Sequence, residues 1–257
     1  MARDPLAFPR RYEGLDREVV AVLSALLAFG RVAIIRAKIE ALLGLLGPRP
    51  SETVAQRSRE ALQAHLRGFR HRTFAGEDLA GLLTALGTLQ RRDGSVFASL
   101  RAAFAASSST QTALSVWVQA LQREAWPEGL TRARRHLLPD PAAGSAAKRL
   151  LLLMRWVSRP DDGVDLGLSV LPPRALLFPV DVHIHRIAKN LGLTRRNDAS
   201  WQTAVEITDA LRSVNEDDPV ALDLSLCHLG ISGRCPSRRD DERCGGCALQ
   251  SVCIHWQ

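Results

Sequence analysis

No stretch of this 257-residue chain approaches the roughly 18–20 consecutive apolar residues that a bilayer-spanning helix needs. Its N-terminal MARDPLAFPRRYEG is interrupted by prolines and charges, so a secretory signal is not expected and a soluble, cytoplasmic protein is. Aromatic residues are only 5% of the chain, with a single tyrosine, which leaves few rings for the stacking platforms of RNA-recognition sheets. Alternating polar–apolar runs of strand type are lacking, and no segment recurs at a period of roughly 20–50 residues, so neither a β-rich fold nor a solenoid is expected. Lysine is the scarcest basic residue: Lys38, Lys148 and Lys189 are the only ones among 34 lysines and arginines. Arginine supplies plain positive charge but does not give up its proton to become an amine nucleophile. Each lysine retained is therefore a candidate for chemistry.

What is present points to a helical globular protein. Apolar residues are 46% and charged residues 24%, ordinary usage for a chain long enough to form one large domain or two lobes. The net charge of +7 favours a polyanionic partner, most simply nucleic acid, although charge alone fits a merely soluble basic protein equally well. Asp16 can cap a helix in which Val19, Val20, Leu23, Leu26 and Leu27 repeat at helical spacing. A second helix is expected over 31–46, stopped by Gly47-Pro48-Arg49-Pro50, with others over 51–67, 77–92, 111–125, 145–158, 182–191, 199–214 and 219–229. Two polar stretches punctuate the pattern. Ala105–Thr112 reads as a flexible loop, and 126–145 carries Arg132, Arg134, Arg135 and His136 between Pro and Gly breakers. That basic cluster reads first as a solvated helix face and second as a phosphate contact.

Four of the five cysteines, Cys235, Cys244, Cys247 and Cys253, crowd into the C-terminal tail with spacing C-x8-C-x2-C-x5-C. A disulfide framework is not expected in a cytosolic chain with its cysteines at one end. Four thiolates in one short loop can ligate a 4Fe–4S cluster or a structural zinc. Zinc sites usually pair two C-x2-C knuckles; a single knuckle with uneven flanking gaps favours iron–sulfur and leaves zinc as the alternative. Cys227 lies in the apolar helical run ALDLSLCHLGI and reads as packing.

The run Val180-Asp181-Val182-His183-Ile184-His185-Arg186, followed by Leu191-Gly192-Leu193 and then by the cysteine tail, resembles the endonuclease III superfamily of DNA glycosylases, the helix-hairpin-helix (HhH-GPD) enzymes. The family's cysteine pattern is C-x6-C-x2-C-x5-C, so the first gap here is longer by two. The chain departs from the family in a second respect. Where those enzymes carry a Gly-rich hairpin, often with the catalytic lysine, Asp165–Phe178 has neither the double-glycine turn nor a lysine. Its segments Ala28–Val32, Lys148–Leu150, Met154–Trp156, Asp161–Leu168 and Asp181–His183 are similar to a poorly characterised branch of the superfamily. Archaeal 8-oxoguanine glycosylases, which also lack the ordinary hairpin, place the catalytic lysine at the start of a helix some thirty residues before the aspartate, and Lys148 stands in that relation to Asp181.

The resemblance implies an all-α, two-lobed HhH-GPD fold, with 1–29 and 175–257 forming one lobe that carries the cluster loop 235–253, 30–174 forming the other, and the cleft between them. It implies a monomeric, nucleoid-associated DNA repair glycosylase, with or without AP lyase activity, acting on a damaged base flipped from double-stranded DNA. Asp181 would stabilise the cationic sugar and Lys148, or water, would be the nucleophile. Phe29, Arg31, Trp156, His183 and Arg186 would meet the DNA or the base, Phe29 as a wedge and Trp156 as a stacking face. For both rings, core packing is the competing explanation. Asp181 is equally suited to cap the helix after it, a role compatible with catalysis. The cluster would shape its loop so that Arg234, Arg238, Arg239 and Arg243 face phosphates. A non-catalytic iron–sulfur protein binding damaged or branched DNA on the same scaffold is the alternative.

Overall fold

A computed structural model describes residues 4–257. The chain is predominantly helical, and its only strands among the described residues are a minimal antiparallel hairpin, β1 (Arg70–His71) and β2 (Phe74–Ala75). Arg72, in the turn of that hairpin, has φ 54°.

The chain divides into two compact units, residues 1–143 with 156–171, and residues 144–155 with 172–257. This division differs from the expected lobes, which join 1–29 to the C-terminal part. The reason is the first helix, α1 (Gly14–Leu27). Every residue from Val19 to Leu27 is fully buried, so α1 is the centre of the first unit and packs on α2 (Val32–Leu46) and α3 (Pro50–Gln56). A helix apolar on all sides must be surrounded, and its own unit surrounds it. Asp16 lies in the first turn of α1 and does not cap it; its carboxylate accepts from the Ser51 amide at 2.7 Å, tying α1 to α3.

The segment expected as one helix over 51–67 is broken at Arg57, whose backbone is extended, and restarts as α4 (Arg59–His65) under the Ser58 cap, whose hydroxyl accepts from the Ala61 amide at 3.2 Å. The core continues through α5 (Gly76–Asp93), α6 (Ala98–Ser107) and α7 (Thr110–Ala125), with α5 and α6 both packed on α7. Ala105–Thr112 is therefore not a flexible loop. It is the end of α6, a left-handed Ser108 at φ 53°, a Ser109 cap and the start of α7. Serine competes with helical hydrogen bonds in a helix interior but satisfies free amides at its start. The short α8 (Arg132–Leu137) keeps Arg132, Arg135 and His136 exposed. Arg134 instead is buried, paired with Asp78 at 3.1 Å and Glu128 at 2.7 Å.

The helix α9 (Lys148–Ser158) gives residues 148–155 to the second unit and the rest to the first. In the first unit, the Asp161–Leu168 segment is a fixed loop. Asp165 is fully buried against Arg159, and Arg10 donates to the Val164 and Asp165 carbonyls at 3.1 and 2.8 Å. The second unit is completed by α10 (Val182–Asn190), α11 (Trp201–Arg212), α12 (Asp223–Ile231) and the single turn α13 (Asp241–Cys244). Helices α10 and α12 pack together closely. A Cβ on Gly230 would stand 2.6 Å from the His183 Cβ, so only glycine permits the approach. No helix among the described residues is long and apolar enough to cross a membrane.

Candidate active site and cysteine loop

Two helix starts meet in the second unit. At the first, the chain turns through Gly144 (φ 82°) and Ala147 (φ 45°) before α9 begins at Lys148. A left-handed alanine costs roughly 1–3 kcal/mol, and such strain is commonly kept where a side chain must be placed. Ala147 is held by its amide donating to Ser145 Oγ at 3.1 Å and by its carbonyl accepting from Leu150 and Leu151. At the second, Asp181 caps α10: one carboxylate oxygen, Oδ1, accepts from the His183 and Ile184 amides at 2.9 and 2.8 Å. Its other oxygen, Oδ2, accepts from Lys148 Nζ at 2.9 Å. The cap fixes the carboxylate and leaves one oxygen to engage the amine.

The electrostatics follow from this placement. Burial pushes the Asp181 carboxyl up, but the Lys148 ammonium and the Ile184 amide outweigh it and hold the group below the usual carboxylate range. Asp181 is thus ionised at neutral pH. Lys148, on the positive end of its own helix, is unfavourably placed for a cation without such a partner. Its side chain is 41% exposed against 18% for Asp181, so the amine is within reach of a ligand while the carboxylate is mostly shielded.

A second ion pair stands in the same unit, and sequence reasoning did not find it. Arg155, two turns along α9 from Lys148, donates from Nη1 to Asp223 Oδ2 at 2.8 Å, with side chains 5% and 6% exposed. Burial raises the Asp223 carboxyl to about 6 against the pull of Arg155, and the negative charge of Asp181 adds to the rise. A lone acid inside the apolar run around Cys227 was the available signal. Arg149, beside Lys148 on α9, is also buried, which draws its guanidinium down to about 10.

The remaining expected residues separate. His183 and Arg186 lie with Asp181 on α10, and Arg186 Nη2 is 3.4 Å from both His183 Nδ1 and the Gly230 carbonyl. Phe29, Arg31 and Trp156 belong to the first unit. Phe29 is half-buried in an aromatic cluster, edge-on to His136 at 4.6 Å with the Arg72 guanidinium 4.3 Å over its ring. Trp156 is 1% exposed, so it is a core residue and not a stacking face. Arg31 is exposed at the start of α2.

Cys235, Cys244, Cys247 and Cys253 are all half-buried and line one small cavity, closed by Asn190, His255 and Trp256 among others. Among the described residues no three His, Cys, Asp or Glu side chains are gathered tightly enough to hold a single metal ion. Cys227, on α12, is not part of the cavity wall. Four soft sulfur donors around one cavity, with an amide N–H directed at one of them, are a donor set that fits a thiolate-bound centre. Arg234, Arg238, Arg239 and Arg243 are exposed on this loop; Arg239 pairs with Asp241 and stacks on Trp256 at 3.8 Å, and Arg243 pairs with Asp240.

A family described as "Protein of unknown function (DUF2400)" matches residues 4–232. The chain belongs to this family. The matched span includes Lys148, Asp181, Arg155 and Asp223 and ends just before the cysteine loop. No curated protein and no solved structure matches the chain.

Proposed function

We propose that this protein is a DNA N-glycosylase with an HhH-GPD-like helical fold, acting in the cytoplasm on double-stranded DNA that carries a damaged base. The observation that carries the reading is the 2.9 Å contact between Lys148 and Asp181, two residues 33 positions apart in sequence that meet at the starts of two helices. Cleavage of an N-glycosidic bond builds positive charge on the deoxyribose, and an ionised, fixed carboxylate is the group that stabilises it. Asp181 has that charge and that rigidity. As the C1′–N bond breaks, the Lys148 ammonium passes a proton to the departing base, and the neutral amine forms the C1′–Nζ bond. Nζ then gives up a proton, the C1′–O4′ bond breaks and O4′ takes up a proton, so the ring-closed aminal becomes an open-chain Schiff base, from which β-elimination cuts the strand. The net positive charge of the chain and the exposed arginines of the cysteine loop suit a phosphate backbone.

Cys235, Cys244, Cys247 and Cys253 are the proposed ligands of a 4Fe–4S cluster. When bound, it supplies a covalent clamp on the loop that carries these arginines.

The decisive experiment is borohydride trapping on a panel of duplexes with single lesions. The wild type should form a covalent complex with at least one, and Lys148→Gln should not. Asp181→Asn should reduce base release by ~10²–10³ while DNA binding is kept, the range for loss of one electrostatic contact at a reacting centre. Full activity of Asp181→Asn on a true substrate, or DNA binding without base release on every lesion, overturns the reading.

A further inference from the structure

We propose that Asn190 is a hydrogen-bond donor to the metal-bound Cys235 thiolate, tuning the centre's reduction potential, and that the same side chain latches the cysteine loop onto α10. The inference rests on the cysteines being cluster ligands. Asn190 is the last residue of α10 and is 6% exposed. Its Nδ2 donates to Cys235 Sγ at 3.4 Å and to the Pro236 carbonyl at 2.8 Å. Its Oδ1 lies 3.1 Å from His255 Nε2, and its backbone carbonyl accepts from the Ile254 amide at 2.9 Å. The two acceptors on one side fix which end of the amide carries the N–H groups, so His255 is the donor on the other.

The partners are informative. Cys235 and Pro236 open the ligand loop, and Ile254 and His255 follow its last cysteine directly. One buried amide therefore gathers both ends of the loop. A residue needed only to fill space here would be apolar, because a buried amide must have its polar atoms met. Helix-terminal carbonyls are ordinarily left without partners, and that of Asn190 is spent on the loop. An N–H donated to a ligating sulfur withdraws electron density from it and favours the reduced, more negative state of an iron–sulfur centre. The opposite end of the same helix is Asp181, ~13 Å away by helical rise, so the loop and the carboxylate share one rigid element.

The test uses the full-length protein purified without oxygen. Potentiometric titration and the rate of iron release to a ferrous chelator are compared for wild type, Asn190→Leu and Asn190→Asp, with helical content checked by circular dichroism. Asn190→Leu should move the midpoint potential to a lower value. Asn190→Asp, which sets a carboxylate against a thiolate, should release iron at least tenfold faster. Wild-type protein labelled with 15N on asparagine, of which there are only Asn190, Asn197 and Asn215, supplies a readout that needs no variant: the paramagnetic centre should show a nitrogen hyperfine coupling. Iron-loaded Asn190→Leu with an unchanged potential, or no such coupling in the wild type, overturns the proposal and leaves the cluster intact. Wild-type protein that contains zinc or no metal overturns both.

Discussion

The Arg155–Asp223 pair allows a prediction that depends on no assumption about function. Asp223 titrates near 6 in the folded protein against an ordinary aspartate near ~3.9. Between those values the folded state holds the extra proton, so stability should fall as pH rises through the window and stay low above it. Two pH units correspond to ~3 kcal/mol. Asp223→Asn removes the titration while keeping a carbonyl oxygen for the Arg155 guanidinium. Urea unfolding followed by circular dichroism should therefore show wild type and variant converging near pH 4, with the variant more stable by up to ~3 kcal/mol at pH 7. Asp223→Leu must behave differently. It leaves a guanidinium that is 5% exposed without its carboxylate, and losing one partner of a buried pair typically costs ~3–5 kcal/mol. The contrast isolates desolvation of the acid from pairing of the base. If the stability difference between wild type and Asp223→Asn does not change with pH, Asp223 is not a strained carboxylate. If Asp223→Leu is neutral, Arg155 has no need of it.

Three further outcomes are expected. Cys244→Ser or Cys247→Ser should lose iron and expose the C-terminal loop to protease, whereas Cys227→Ser, outside the cavity wall, should keep full iron content; elemental analysis and limited proteolysis decide this. DNA affinity should drop steeply between low and moderate salt as released counterions compete, and a titration that shows no salt dependence excludes backbone contact by the arginines. Gly230→Ala should force α12 away from His183, destabilising the protein by ~1–3 kcal/mol as overpacked sites do and reducing activity with it; a variant as stable as wild type in urea contradicts the close packing.

Much of the candidate site was legible because it depends on local rules. Asp181 as a cap and Lys148 as a helix start were both expected, since a capping aspartate and the following apolar period act within a turn or two of chain. The same locality made α2, α5 and α10 readable to within a residue or two. It failed for α1, where periodicity marked one buried stripe and the structure buries every residue from Val19 to Leu27, and for Ala105–Thr112, where small polar residues resembled a loop but end one helix and cap the next. Helical class, scarce lysine and a cysteine-rich tail belong to the sequence alone. What the tertiary structure decided are the meetings: Lys148 with Asp181 across 33 residues, Arg155 with Asp223 across 68, and four cysteines with Asn190 around one cavity. For Lys148 and Asp181 the resemblance supplied a spacing but not a contact, and for the others the sequence supplied neither, because such contacts depend on how whole helices pack and on which buried charges must find a partner when they do.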